Sequence, residues 1–298
     1  MIHRLCVIGV GMIGGSIALE LARRGFCHEI VGYDRDIHAL ELACRREVIH
    51  RSEARLKDAI DGADALLVAV PVGAMRQVWQ ELLECGLRCD AAIKFLMDVG
   101  SVKQSVIADI RQVFGEVPSW YVPAHPIAGI EHNGVEHAQQ DLFVGKRVIL
   151  TPVESTSSEA VKTASRLWEA LGAYPESMSA VRHDKMLAAS SHLPHVIAYG
   201  LLYALDSIDE PEVWARFSGG GLRDFTRVCA TDPTMWRDIC VSNRLPILDV
   251  LRVFETSLSQ MREAMEASNA DDLQRILYRA HQARNRLVGA QTDQSQAS

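Results

Sequence analysis

A glycine-rich loop between a short apolar run and a helical pattern dominates the first part of the chain. The apolar residues 5–8 predict a strand, and the pattern that follows the loop predicts a helix. The loop has the spacing G-x-G-x-x-G at Gly9, Gly11 and Gly14. Gly9 permits a tight turn, Gly11 lets a pyrophosphate approach the backbone, and Gly14 lets the helix pack close to the strand. The unit therefore predicts a phosphate-binding turn at a helix N-terminus, where free N–H groups face the ligand.

The second predicted strand indicates which dinucleotide this turn would bind. It ends at Asp34, twenty residues after Gly14. A carboxylate there accepts hydrogen bonds from a ribose diol and repels a 2′-phosphate, which favours NAD. Arg35 keeps NADP open, because an arginine after this strand can hold a 2′-phosphate. The predicted cofactor-binding residues are Gly9, Gly11, Met12, Ile13, Gly14, Asp34, Arg35, Val70 and Pro71.

Strands and helices alternate through the first half of the chain, which predicts a doubly wound, Rossmann-like α/β domain over residues 1–153. Several of the apolar runs are continuous, as in parallel strands that are buried on both faces. The predicted strands are 4–9, 29–33, 65–70, 92–97, 121–122 and 147–150. The predicted helices are 13–25, 36–46, 73–84 and 102–114.

The second half has no recurring strand pattern, and we expect an all-helical C-terminal domain over residues 154–288. The predicted helices are 157–172, 180–206 with a kink at Pro194, 211–217, 233–241, 244–267 and 271–287. One apolar stripe, Leu248, Leu251, Phe254 and Leu258, would either form a dimer interface or pack inside the domain. Residues 289–298 are predicted to be a disordered tail.

Composition limits the partners. The 298-residue chain has a formal net charge of −7 and no basic block, so we expect neither nucleic acid nor a membrane as partner. The first strand begins at once, so we expect no signal peptide. Seven scattered cysteines predict reduced thiols in a cytoplasmic protein. Cys85 and Cys89 lack the second pair that a zinc site needs, and we predict no metal.

Two polar residues follow predicted strands at the edge of the sheet where ligands bind. Ser101 comes shortly after the fourth strand and is either a helix N-cap or a group facing the crevice. His125 stands before Pro126 on a loop after the fifth strand, and it is either a surface histidine or a general base.

The helical half contains a second group of candidates. His192 and His195 are three residues apart and would share a helical face, but no third metal ligand accompanies them. Residues 219–221 are three glycines that predict a loop, and Arg227 follows. Its guanidinium would bind a substrate carboxylate with two parallel hydrogen bonds or form a surface ion pair with Asp224.

Taken together, these motifs resemble the prephenate/arogenate (cyclohexadienyl) dehydrogenase family of tyrosine biosynthesis, over residues 1–287. The motifs are G-x-G-x-x-G-G at 9–15, D-V-G-S-V-K at 98–103, H-P-I-A-G at 125–129, S-H-L-P-H at 191–195, G-G-G-L-R-D-F-T-R at 219–227 and D-P-T-M-W-R-D at 232–238. We expect neither a chorismate mutase segment before them nor a regulatory domain after them.

The resemblance implies an NAD-dependent oxidative decarboxylation by a homodimer that joins through its helical domain. His125 would be the base or hydrogen-bond acceptor for the substrate hydroxyl, and Ser101 would hold the same hydroxyl. Arg227 would bind a substrate carboxylate. The remaining substrate residues implied by the resemblance are Ser191, His195, Trp236 and a gating ionic network of Glu131 and Asp224 around Arg227. The segment 142–146 has no acid to sense the ammonium group of arogenate, which favours prephenate or dual use.

Two other functions share parts of this pattern. A β-hydroxyacid-type dehydrogenase would need a catalytic lysine in the helical half, where Lys185 is the only lysine after residue 162. A non-catalytic NAD-sensing module would keep the glycine loop and Asp34 but would not need His125, Ser101 and Arg227 together.

Overall fold

The computed structural model describes residues 2–129, 132–208 and 216–296. The chain divides into two compact units, Met1–Ile247 and Leu248–Ser298. The first unit contains the sheet and the helices that surround it. The second unit is helical.

An eight-stranded sheet forms the centre of the first unit. Its strands lie in the order β3-β2-β1-β4-β5-β6-β7-β8, and all neighbours are parallel except β6 and β7. This order confirms the predicted doubly wound fold. The strands are β1 Ile2–Ile8, β2 Cys27–Tyr33, β3 Arg51–Ser52, β4 Ala65–Val68, β5 Phe95–Asp98, β6 Tyr121–Pro126, β7 Arg147–Leu150 and β8 Tyr174–Ser177.

Helices cover both faces of this sheet. Along β1, Leu5 and Val7 belong to one buried cluster, whereas Cys6 and Ile8 belong to a second one. Successive side chains of a strand point to opposite faces, so apolar clusters on both faces explain why the strand is a continuous apolar run. The helices here are α1 Met12–Arg23, α2 Ile37–Arg45, α3 Leu56–Ile60, α4 Val72–Glu84, α5 Gln104–Phe114 and α6 Ser158–Ala170.

The sheet continues past residue 153, where the sequence predicted the end of the dinucleotide-binding domain. Strand β8 pairs with β7 in parallel, and α6 packs against the sheet through the buried Leu167 and Trp168. The expectation that no strand follows residue 157 was therefore wrong. Strand β8 is an edge strand with a proline, and its residues are mostly exposed, so it lacks the apolar run that indicates a strand.

The helical part of the first unit begins after β8. It contains α7 Ala180–Leu187, a π-helical turn Ala188–His192, α8 Leu193–Asp206, α9 Gly220–Thr226, a 3₁₀ turn Arg227–Ala230 and α10 Pro233–Ser242. The helix predicted over 180–206 is present, because α7, the π-helical turn and α8 follow one another without a break, and the π-helical turn lies directly before Pro194. A π-helical turn at this place accommodates a residue that has no backbone N–H. Gly219 precedes α9 in extended backbone, but Gly220 and Gly221 are the first residues of the helix, so the predicted loop was wrong for these two glycines. The predicted helix 211–217 lies mostly outside the described residues.

Two long helices account for the second unit. Helix α11 spans Arg244–Glu266 and so begins in the first unit, and α12 spans Ala270–Gln296. Helix α12 includes most of the tail predicted to be disordered, where no proline ends it. Of the predicted stripe, Leu248 is 42% exposed and Leu258 48% exposed, so it is not an internal core. Within the described residues, no helix is both long and apolar enough to cross a membrane.

Candidate active site

Two neighbouring cavities surround the glycine loop at the carboxyl ends of the strands. One of about 230 Å³ is lined by Gly9, Gly11, Tyr33, Asp34, Arg35, Val70, Pro71 and Glu81, among others. The other, of about 430 Å³, is lined by Gly11, Met12, Ile13, Val70, Pro71, Ser101, Thr231 and Asp232, among others. Each predicted cofactor residue except Gly14 therefore lines at least one of the two cavities.

The glycine loop fits a dinucleotide pyrophosphate. Gly9 has φ +92°, and a Cβ there would lie 2.6 Å from the carbonyl oxygen of Ala69. A Cβ on Gly14 would overlap the carbonyl oxygen of Gly9, so both residues must be glycine for the loop to form. A Cβ on Gly11 would meet nothing within 4 Å. Gly11 thus borders open space, as expected where a ligand approaches the backbone.

Two carboxylates line the smaller cavity. Asp34 is fixed by the backbone N–H groups of Val10, at 2.8 Å, and Asp36, at 3.0 Å. The second carboxylate belongs to Glu81 of α4, which forms a 2.8 Å ion pair with Arg35. The arginine that could hold a 2′-phosphate is thus already paired with an acid. This arrangement favours the ribose diol of NAD over a 2′-phosphate.

Ser101 and His125 lie at the ends of neighbouring strands. Strands β5 and β6 are paired in parallel with Asp98 opposite Pro123, so Ser101, which follows β5, and His125, the last residue but one of β6, lie at the same edge of the sheet. The expectation that His125 stands on a loop after its strand was wrong, because β6 continues to Pro126 and pairs His125 with Ile149 of β7. Ser101 lines the larger cavity. The alternative of Ser101 as a helix N-cap was wrong, because α5 begins at Gln104 and Lys103 occupies the N-cap position.

A buried polar cluster fixes the ends of these two strands. The Lys103 ammonium donates to the Asp98 carboxylate and, at 2.7 Å, to the carbonyl oxygen of Ala124, the residue before His125. Asp98 also accepts from the Tyr121 hydroxyl at 2.6 Å and from the Gly100 N–H at 2.8 Å. Burial lowers the pKa of Lys103, and the neighbouring Asp98 carboxylate opposes this shift. The cluster ties β5 to β6 directly behind the two candidate residues.

His125 is half-buried and contacts two residues of α7 in series. Its Nδ1 lies 2.8 Å from Nε2 of His183, whose Nδ1 lies 2.7 Å from Oδ1 of Asp184. Burial, together with the nearby His183 and Lys103, holds the pKa of His125 well below its usual range. His125 is therefore a neutral imidazole at pH 7, the form that a base requires.

Asp184 also completes the start of α5. Its carboxylate accepts from the backbone N–H groups of Lys103 and Gln104, both at 2.9 Å. Burial raises the pKa of Asp184, but the hydrogen bonds from His183 and from these two N–H groups outweigh it and leave the pKa below its usual value. The carboxylate of Asp184, a residue of α7, thus accepts the hydrogen bonds at the start of α5 that an N-cap side chain usually accepts.

His195 and Trp236 form one stacked pair. Their ring centroids are 3.6 Å apart with the planes inclined by 20°, and His195 Nδ1 donates to the carbonyl oxygen of Ser191 at 2.9 Å. Trp236 donates from its indole nitrogen to the hydroxyl of Thr231, which lines the larger cavity. His192 is buried instead and contacts Asn243 through Nδ1 at 3.0 Å. The two histidines therefore serve different contacts.

The remaining predicted substrate residues are Arg227, Asp224 and Glu131. Arg227 begins the 3₁₀ turn that leads to Thr231 and Asp232 of the larger cavity, and its side chain is exposed. Asp224 is exposed on α9, and Glu131 lies outside the described residues. The gating ionic network stays a prediction.

The segment 142–146 has a structural role. Leu142 and Phe143 are buried, and Phe143 packs edge-on against Trp168. Their apolar character follows from this core position, whereas residues 144–146 are exposed, so the absence of an acid between Phe143 and Lys146 stays an argument from the sequence alone. Lys185, the lysine considered for a β-hydroxyacid mechanism, is exposed on α7.

Sequence reasoning missed His183, Asp184 and Lys103. A signal for the first two was present: His183, Asp184 and the apolar Leu187 share one helical face, and all three are buried. Two polar side chains on the apolar face of a helix require buried hydrogen-bond partners. Lys103 gave no comparable signal, because its partners Asp98 and Ala124 come from two different strands.

Comparisons with known proteins agree with this geometry. A family model described as "Prephenate dehydrogenase, nucleotide-binding domain" matches residues 17–176, and "Prephenate dehydrogenase, dimerization domain" matches residues 179–279. A cyclohexadienyl dehydrogenase of Zymomonas mobilis is 35% identical over 274 residues, which cover 90% of each chain. A prephenate dehydrogenase of Bacillus subtilis is 32% identical over 287 residues, covering 95% of this chain and 76% of the relative.

A solved structure is also similar. The prephenate dehydrogenase of Aquifex aeolicus, in complex with hydroxyphenyl propionate and NAD+, aligns with a TM-score of 0.87 and 33% identity, covering 96% of this chain and 99% of the other. Two family models together span most of the chain, and two relatives exceed 30% identity over nearly its whole length. The chain therefore belongs to the prephenate dehydrogenase family.

Proposed function

We propose that this protein catalyses the NAD-dependent oxidative decarboxylation of prephenate to 4-hydroxyphenylpyruvate. The observation that carries the proposal is the position of His125, half-buried at the end of β6 and at the same edge of the sheet as the cavities around the glycine loop. Its surroundings lower its pKa, which favours the neutral ring. The family to which the chain belongs supports the choice of reaction.

The substrate is a cyclohexadienol with a hydroxyl on ring carbon C4 and a carboxylate on C1. NAD+ held by the glycine loop and Asp34 would supply the acceptor for the hydride that leaves C4. The electron pair of the bond between C1 and its carboxylate then enters the ring, carbon dioxide leaves and the ring becomes aromatic. The hydroxyl oxygen stays on C4, so a proton that His125 accepts from it returns to the phenol. Aromatisation supplies the driving force, and the protein mainly positions and polarises the substrate.

The polar residues described above divide this work. His125 accepts the hydrogen bond of the C4 hydroxyl through its neutral ring, and Ser101 holds the same hydroxyl from the neighbouring strand end. Arg227 binds a substrate carboxylate with its two parallel N–H groups. Ser191, His195 and Trp236 complete the substrate pocket, and Glu131 and Asp224 form the gating network with Arg227.

The cofactor residues hold the two ends of NAD. The loop at Gly9, Gly11 and Gly14 receives the pyrophosphate at the N-terminus of α1. Asp34 accepts hydrogen bonds from the adenosine ribose, supported by its two backbone contacts. Met12, Ile13, Arg35, Val70 and Pro71 line the cavities on either side of this loop.

The proposal is tested by the rate of NADH formation, followed at 340 nm. Purified protein is offered prephenate and arogenate, each with NAD and with NADP. Turnover of prephenate with NAD supports the proposal, and the four rates give the preference for substrate and for cofactor. No reduction with any of the four pairs would refute it and would favour a protein that only senses NAD.

Two variants test the assigned roles. We expect His125→Asn to lower kcat by about 10²-fold or more with little change in KM, as expected for the loss of a general base. The matched control is His38→Asn, whose imidazole is 94% exposed on α2 and which we expect to leave kcat unchanged. Arg227→Ala is expected mainly to raise KM for the substrate. Full turnover by His125→Asn would remove it from the mechanism.

We further propose that the protein is a cytoplasmic homodimer. The second unit presents an open apolar groove of about 420 Å³ on α12, lined by Ala270, Leu273, Gln274, Leu277, Tyr278 and His281. The match of residues 179–279 to a dimerisation-domain family supports a second copy as the group that covers it. The free thiols of the cysteines agree with a reducing compartment. Light scattering after size exclusion should give a dimer mass, and Leu277→Asp should give monomers. A monomeric unsubstituted protein would refute this assignment.

A further inference from the structure

The series of contacts behind His125 has a function that the reaction itself does not reveal. His125, His183 and Asp184 are joined end to end by two contacts of 2.8 and 2.7 Å. His183 and Asp184 are fully buried, whereas His125 is half-buried. We propose that His183 and Asp184 are positioning residues that fix which ring nitrogen of His125 is free to act as the base. The proposal rests on the proposed function, in which His125 accepts a hydrogen bond from the substrate hydroxyl.

The carboxylate of Asp184 determines which ring nitrogen of each histidine in the series carries a hydrogen. The two carboxylate oxygens accept from the backbone N–H groups of Lys103 and Gln104, and Gln104 Nε2 adds a third donor at 3.1 Å. A carboxylate with this many donors is ionised and has no hydrogen to give. The contact with His183 therefore requires a hydrogen on Nδ1 of His183.

The tautomer of His183 in turn determines the tautomer of His125. Burial lowers the pKa of His183, which leaves its ring neutral at pH 7, so Nε2 has a lone pair and no hydrogen. Nδ1 of His125 lies 2.8 Å from that lone pair and must carry the hydrogen of the contact. Because His125 is also neutral, its Nε2 is left as a bare acceptor. The tautomer that a base needs is thus determined by a carboxylate two residues along the series.

The surroundings of His125 agree with this order. The titratable groups that act on His125 are His183 from α7, Lys103 from the β5–α5 segment and His192 from the π-helical turn, and the carboxylates of Asp184 and Asp98 act on His183. The cationic Lys103 is paired with Asp98, and burial lowers the pKa of His192 to about 4. The carboxylate of Asp184, at the end of the series, is therefore the negative charge that no cation among the described residues pairs with. It also stabilises His125 while the ring holds the substrate proton.

The test combines nitrogen NMR of histidine-labelled protein with steady-state kinetics. In the unsubstituted protein, the signal that His125→Asn removes should be that of a neutral ring with its hydrogen on Nδ1. His183→Leu removes the acceptor, and we expect His125 to shift towards the Nε2–H form, with kcat lowered about 10²-fold and KM changed less than about threefold. His183→Gln keeps an acceptor oxygen and should retain kcat within about tenfold.

A control separates this effect from lost stability. Leu171→Ala removes a fully buried side chain of the core that packs beside α6, and it should lower the melting temperature without moving the His125 signal or kcat. A hydrogen on Nε2 of His125 in the unsubstituted protein would overturn the proposal, even if His183→Leu failed to fold. An unchanged signal and kcat in His183→Leu would overturn it too. Absence of prephenate turnover in the unsubstituted protein would instead refute the proposed function, because the NMR result does not depend on turnover.

Discussion

Replacing Lys103 with methionine is expected to lower the free energy of unfolding by about 3–5 kcal/mol. The Lys103 and Asp98 side chains are both 0% exposed. Methionine keeps the apolar length of the side chain but removes the donors to Asp98 and to the carbonyl of Ala124. Asp98 would then keep only the Tyr121 hydroxyl and the Gly100 N–H, and a buried carboxylate without a cation is strongly unfavourable.

Urea unfolding followed by tryptophan fluorescence measures the effect. The double variant Lys103→Met/Asp98→Asn removes both charges of this pair, so it should be more stable than Lys103→Met alone. Arg252→Ala is the control, because its pair with Asp249 is 70% and 71% exposed, and it should cost less than about 1 kcal/mol. A loss below about 1 kcal/mol for Lys103→Met would refute the argument that this pair fixes the two strand ends.

Three further outcomes are expected. Gly9→Ala should destabilise the fold, because its Cβ would meet a neighbouring backbone oxygen at 2.6 Å. Gly11→Ala should leave the melting temperature unchanged and raise KM for NAD. Equal melting temperatures for both variants would contradict this expectation. Glu81→Gln should release Arg35 and raise the ratio of NADP to NAD kcat/KM about fivefold, for a pair that contributes about 1 kcal/mol; an unchanged ratio would exclude Glu81 from cofactor choice. The pKa of His125 in the substrate-free protein lies well below 6.5, so log kcat/KM should stay level down to pH 6.5 and fall only in more acidic buffer as the ring is protonated; a fall centred above pH 7 would contradict a neutral base.

The sheet was predictable from the sequence, because the central strands are buried on both faces and therefore contain continuous apolar runs. Leu5 and Cys6 show this, since neighbours on one strand lie in different cores. Strand β8 was not predictable in this way, because its polar residues pair with a single neighbour at the sheet edge.

The residues of the candidate site also differ in how far the sequence could predict them. His125 and Ser101 stand next to a strand end, where position along the chain indicates function. His183 and Asp184 act through contacts with residues about 60 to 80 positions away, and no local pattern encodes such a distance.

The carboxylate that completes the start of α5 comes from 81 residues further along the chain than the N–H of Lys103. During synthesis the glycine loop, the sheet and Ser101 are all made before Asp184 emerges. A chain ending after Ser177 would contain the eight strands, but the first turn of α5 would lack its acceptor and His125 would lack the imidazole behind it. The elements that hold the nucleotide are thus complete earlier than those that orient the base. Cutting the chain after β8 would therefore separate the elements that bind the nucleotide from the residues that orient the base.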